Sequence, residues 1–122
     1  KFATLVATKS ANWKIDEAFK LTEALYKDHP NIGAIFCAND MMALGVIEYL
    51  QSTGKNNVQV AAFDAIPQAL DAIKSGTLLA TVDQQAAEQG YQGVLSANNI
   101  LSGKKTPLNI IIDAKIITQL AQ

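Results

Sequence analysis

The stretch Gly33-Ala34-Ile35-Phe36-Cys37-Ala38-Asn39-Asp40-Met41-Met42-Ala43-Leu44-Gly45 decides the fold. Its first six residues are apolar or small without alternation, as expected of a strand buried on both faces, and parallel sheets require such strands. Asn39 can then cap a helix with its side-chain oxygen, and an apolar helical segment runs from Met41 to Leu50. Gly54 suits the position just past its end. A strand that hands straight into a helix is half of a βαβ unit, and the same succession recurs on both sides.

Upstream, the apolar run Ala3-Thr4-Leu5-Val6-Ala7 precedes polar Thr8-Lys9-Ser10-Ala11-Asn12. Ile15, Ala18, Phe19, Thr22, Leu25 and Tyr26 then repeat at helical spacing. Asp16 and Glu17 suit the positive end of that helix, and Pro30 forces an exit near His29. Downstream, Val58–Phe63 ends at Asp64, and Pro67 opens a short helix through Leu70 and Ile73, closed by Gly76. The run Leu78–Val82 ends at Asp83-Gln84 and feeds a helix carrying Ala87, Tyr91, Val94, Leu95 and Leu101, stopped near Gly103. Ile110-Ile111-Ile112 and Ile116-Ile117 are two further strand-like pieces. The pattern predicts an α/β domain: a three-layer open sheet, mostly parallel, flanked by helices. Four units are half of a (β/α)₈ barrel, which takes roughly 250 residues. The turn after the first run holds no glycine for a pyrophosphate, and no paired carboxylates follow that run.

Composition narrows the function. The 122 residues carry a net charge of −1, 49% hydrophobic and 17% charged residues, which fits one folded domain. All ten basic residues are lysines, so nucleic acid is not an expected partner. No run approaches the roughly 18 apolar residues of a membrane span, and Lys1-Phe2-Ala3 does not read as a signal peptide. A single cysteine, Cys37, and a single histidine, His29, exclude an internal disulfide and argue against a metal site or cofactor cluster. Cys37 reads as a buried thiol and His29 as an exposed loop residue.

In open α/β sheets, ligands bind beyond the carboxyl ends of the strands. The four apolar runs deliver Lys9, Asn12 and Trp13, then Asn39 and Asp40, then Asp64, then Asp83 and Gln84 to one edge. Amides and carboxylates pair with vicinal hydroxyls, and an indole face covers the C–H side of a sugar ring. Without phosphate-seeking arginine, the set points to a neutral polyol or sugar held by Trp13, Asn39, Asp64 and Gln84. Each has a plainer use: Asn39 as a cap, Gln84 as a helix start, Trp13 as a lid on the core. Asp64, directly after a buried run, needs partners in any case.

Three segments resemble a known family. Ala34–Gly45 is similar to the Asn-Asp-x-Met-Ala-Leu-Gly signature of type I periplasmic sugar-binding proteins. Phe63-Asp64 with Pro67 resembles their Phe-Asp-Gly-x-Pro turn, and Ala80-Thr81-Val82-Asp83-Gln84 their Ala-Thr-(Ile/Val)-x-Gln segment. Order and spacing match the ribose-binding-like branch over nearly the whole chain. The resemblance implies hydrogen bonds to sugar from Asn39, Asp64 and Gln84 and stacking by Trp13. Two positions depart from the pattern: Ala65 where the family usually has glycine, and Asp83 where it is often small or apolar.

Family members are two-lobed and close to twice this length, so residues 1–122 resemble a single carboxyl-terminal sugar-binding lobe. The resemblance then implies a missing amino-terminal lobe, against which a crossover helix within 85–106 would pack. It also implies a periplasmic location, a monosaccharide ligand such as ribose or a related pentose or hexose, and the membrane permease of an ABC importer as partner. Left alone, the apolar face of that helix folds back, stays exposed, or pairs the fragment with a second copy as a homodimer. The competing binding function is the effector-sensing lobe of a lac-repressor-type transcription regulator. Catalysis is not expected: Asp64 and Asp83 are the only candidates for a glycosidase-like pair.

Overall fold

The computed structural model describes residues 3–119. Its elements follow in the order α1 (Ile15–Asp28), β1 (Ala34–Phe36), α2 (Asp40–Ser52), β2 (Gln59–Ala61), α3 (Pro67–Lys74), β3 (Ala80–Asp83), α4 (Ala86–Leu101) and β4 (Lys115–Thr118). The strands lie in the order β1-β2-β3-β4. The first three are parallel, with Ile35 opposite Val60 and Ala61 opposite Ala80. The last is antiparallel, Ala80 facing Thr118 and Asp83 facing Lys115. This is the expected α/β architecture, a mostly parallel open sheet flanked by helices.

The local signals worked as their chemistry requires. Asn39 caps α2, its side-chain oxygen accepting from the Met42 N–H at 3.0 Å. Pro67 opens α3, and Gly54, Gly76 and Gly103 take the left-handed conformation just past α2, α3 and α4. Gly45 has a separate reason. A Cβ there would stand 2.1 Å from the Ile15 carbonyl oxygen, so the crossing of α1 over α2 admits no side chain. The core forms around that crossing and the sheet: Ala18, Tyr26, Ala43, Val46, Leu50, Val60, Ile73 and Leu78 are all buried. Tyr49 meets Phe19 edge-on at 5.6 Å and stacks on Tyr26 at 5.7 Å.

Two expectations about strands need correction. Ala3–Ala7 is not a strand: it runs without secondary structure, Leu5 and Val6 are exposed, and no backbone hydrogen bond ties it to β1 among the described residues. A mostly apolar groove of about 410 Å³ lies there instead, lined by Leu5, Val6, Leu21, Leu25, Ile35 and Phe36 among others. β1 is therefore an edge, and Ala34 and Phe36 are exposed rather than buried on both faces. Apolar composition favours a strand, but a strand forms only against a neighbour that takes up its N–H and C=O groups. Likewise Ile110–Ile112 is irregular, and only the pair Ile116-Ile117 joins the sheet, in β4.

Cys37 is buried just beyond β1, its N–H bonded to the Ala61 oxygen at 2.8 Å. Burial, reinforced by nearby Asp40, pushes its thiol up to about 12, which keeps it unreactive. His29 is half-buried at the end of α1 rather than fully exposed.

Candidate functional site

Parallel strands put the carboxyl ends of β1, β2 and β3 on one edge, and the backbone there is knitted together before any side chain is considered. The Asp40 N–H donates to the Phe63 oxygen at 2.8 Å, and the Asp64 N–H donates to the Val82 oxygen at 2.9 Å. The segments carrying Asn39, Asp64 and Gln84 are thereby locked in register with one another.

Asp64 and Gln84 meet directly: the Gln84 Nε2 donates to Asp64 Oδ1 at 2.8 Å. Asn39 sits one residue before α2, largely buried, with its oxygen committed to the helix cap. What remains is instructive. Among the described residues, no hydrogen bond occupies Asn39 Nδ2, Asp64 Oδ2 or Gln84 Oε1. One amide donor and two acceptors thus stand open at a half-exposed edge, and capping does not use up Asn39. Trp13 is on a turn before α1, 63% exposed and in a left-handed conformation at φ 64°. It is a free indole face, but no hydrogen bond joins it to the other three among the described residues.

The turn after β2 is unusual. Asp64 has φ 116° and Ala65 φ 57°, a region that favours glycine. Alanine at 65 holds this left-handed geometry at some steric cost. Beneath the turn lies a pair not selected from sequence. Asp40 and Thr81 are fully buried, and the Thr81 hydroxyl donates to Asp40 Oδ1 at 2.7 Å. The Ile66 N–H donates to Asp40 Oδ2 at 2.9 Å, and the Ala65 N–H to the Thr81 hydroxyl oxygen at 3.2 Å. Burial raises the Asp40 carboxyl above the usual range; the Thr81 and Ile66 bonds pull it back and the Asp64 charge pushes it up again. A signal existed: an acid at the first position of α2 is ordinary dipole complementation, but threonine between Ala80 and Val82 inside an apolar strand needs a partner.

Asp83, the other departure from the family pattern, accepts the Gln85 N–H on Oδ1 at 2.7 Å. It thereby supports Gln85 in the left-handed conformation that opens the crossover into α4.

The family profile described as "Periplasmic binding protein domain" matches residues 3–105. The chain belongs to the periplasmic binding protein domain family. Within it, the chain is 32% identical over 115 residues to the ribose import binding protein of Escherichia coli K12, covering 94% of this chain and 39% of that protein. It is 36% identical to the D-allose-binding periplasmic protein of the same organism, over 94% of this chain and 39% of the relative. A solved solute-binding protein of an ABC transporter from Bacillus halodurans C-125, with bound myo-inositol, superposes with a TM-score of 0.91 at 34% identity. That match covers 96% of this chain and 41% of the other. The chain thus spans about two-fifths of the length of these periplasmic binding proteins. The motif reading and the comparisons agree on the family.

Proposed function

We propose that this chain is one lobe, carboxyl-terminal in origin, of a non-catalytic sugar receptor, and that it supplies one wall of a monosaccharide site. The observation that carries the reading is the Asp64–Gln84 hydrogen bond, which aligns two side chains and leaves an acceptor open on each, beside the open amide donor of Asn39. A polyol hydroxyl both donates and accepts, so a carboxylate flanked by amides can satisfy neighbouring hydroxyls with charge-assisted bonds. Trp13 adds an apolar face for the ring. Relatives that match are named for ribose, allose and apiose, and a solved one holds myo-inositol, all uncharged polyols. They are import and solute-binding proteins, which favours the receptor over the regulator.

The opposing wall belongs to the second lobe that the length of the relatives implies. α4 has no buried residue, and Tyr91, Val94, Ile100 and Leu101 are exposed along it, as suits a crossover helix made to cover that lobe. The intact receptor would work in the periplasm and hand its sugar to an ABC permease. With one wall, affinity falls from the micromolar range towards roughly millimolar. The test is an NMR titration of the labelled chain with D-ribose and D-allose up to tens of millimolar. Shifts confined to Asn39, Asp64, Gln84 and the Trp13 indole are expected, and Asp64→Ala should weaken the binding that produces them by about tenfold or more. Shifts elsewhere, or none with either sugar, would refute the reading.

A further inference from the structure

We propose that Asp40 is a positioning residue for Asp64: from below the site, its carboxylate holds the backbone turn that aims Asp64 at Gln84 and at a ligand. The inference rests on the reading of Asp64 as a sugar contact and deepens it.

The turn cannot hold itself. Asp64 at φ 116° and Ala65 at φ 57° occupy backbone regions that cost a residue with a side chain free energy, and they persist only where the surroundings over-determine them. Here they are over-determined from two sides. The backbone clamps Phe63 and Asp64 to α2 and β3 through the Asp40 N–H and the Val82 oxygen. The next two N–H groups, of Ala65 and Ile66, both point to the Asp40–Thr81 pair. Successive N–H groups converging on an anionic pair make an anion-binding concavity, and here the anion is built in.

A plainer role for Asp40 would be complementing the α2 dipole or capping the helix. Asn39 already fills the cap. Dipole complementation needs neither complete burial nor a hydrogen bond to a residue 26 positions away, and Asp40 has both. An amide serves less well. Asp40 accepts on both oxygens, from Thr81 and from Ile66. Asparagine turns an NH2 towards one of these donors, so either the Ile66 N–H loses its acceptor or the Thr81 hydroxyl must reverse and accept, giving up the charge-assisted bond.

The experiment compares the full chain with Asp40→Asn and Thr81→Val by amide hydrogen exchange and by titration with D-ribose and D-allose. Both variants should speed exchange at Ala65 and Ile66 by about tenfold or more, while Val46 and Leu50 in α2 keep their protection. Asp40→Asn should weaken sugar binding by about tenfold in the otherwise native chain and by nothing further once Asp64→Ala is present, the non-additivity expected of a residue acting through another. Should Asp40→Asn fail to fold, Thr81→Val carries the same comparison. Unchanged exchange at Ala65 and Ile66, or an affinity loss that persists in the Asp64→Ala background, overturns the positioning role. Loss of binding in Asp64→Ala with Asp40→Asn inert overturns that role alone. Sugar binding indifferent to Asp64→Ala overturns the sugar-contact reading and the positioning role together.

Discussion

The region from α1 to β3 and the α4 region both carry amphipathic helices and end in opposite states. In the first, Ala43, Ala69 and Ile73 are completely buried, and even the polar Asp40 and Thr81 are enclosed and paired. In the second, no residue of α4 is buried, and Leu101, Leu108 and Ile111 are largely exposed. What separates them is the presence of something to pack against. α1 lies on α2, α2 on β2 and α3, and α3 on β3, so each apolar stripe has a mate within the chain. α4 leaves the sheet at Gln85 and meets no comparable surface among the described residues. The sugar-contact candidates stand on the boundary of the closed region, where a rigid base supports side chains whose outer atoms remain open.

The largest expected effect tests how tightly the closed region is closed. Gly45→Ala drives a methyl group into the Ile15 carbonyl, which cannot move without displacing α1. A loss of about 3 kcal/mol is expected in denaturant unfolding, at the upper end for an overpacked core. Unchanged stability would mean that the two helices are not so close. A similar small-to-large change at Gly93 in α4, where an added Cβ meets nothing, should leave stability unchanged or slightly raised.

The strained turn offers the next test. Ala65→Gly removes the side chain from a left-handed position, worth about 1–2 kcal/mol, offset by the greater freedom of glycine in the unfolded chain. A net gain of about 0.5–1 kcal/mol is expected. A loss would show that the Ala65 methyl group packs usefully.

The pH dependence of stability follows from Asp40. Because burial raises its folded value, the native state holds this proton more tightly than the unfolded chain does, so the contribution of this group falls as pH rises from about 4 through the raised value. Glu17 acts oppositely: bonds from Lys14 and Asn12 lower it, so its contribution is present above the ordinary carboxylate range and fades as pH drops through the depressed value. Unfolding curves of the native chain and Asp40→Asn across the acid range should differ in the direction Asp40 dictates. Parallel curves would contradict a raised carboxyl.

The smallest effect belongs to the open region. Val94→Lys on exposed α4 should change stability by no more than about 0.5 kcal/mol. It should nevertheless reduce any association seen by light scattering at high concentration, if a second copy covers this face. Light scattering indifferent to the substitution would remove α4 from any self-association.

By itself the sequence determined what depends on neighbours close along the chain. Asn39 before α2, Pro67 at the start of α3 and Gly54, Gly76 and Gly103 past helix ends act over one turn, so their effect is legible in order and spacing. The motif pattern likewise carried Asn39, Asp64 and Gln84 to one edge, because parallel strands share a carboxyl end. Tertiary structure alone decided three things. Ala3–Ala7 and Leu78–Val82 each hold four apolar residues and a threonine, yet only the second stretch contributes a strand, because hydrogen-bond partners across a sheet come from distant sequence. The Gln84–Asp64 bond joins residues 20 apart, and the Asp40–Thr81 bond joins residues 41 apart. Composition could nominate each of these polar side chains, but only the folded backbone brings them within 3 Å and, around Asp40 and Thr81, excludes the water that would otherwise satisfy them.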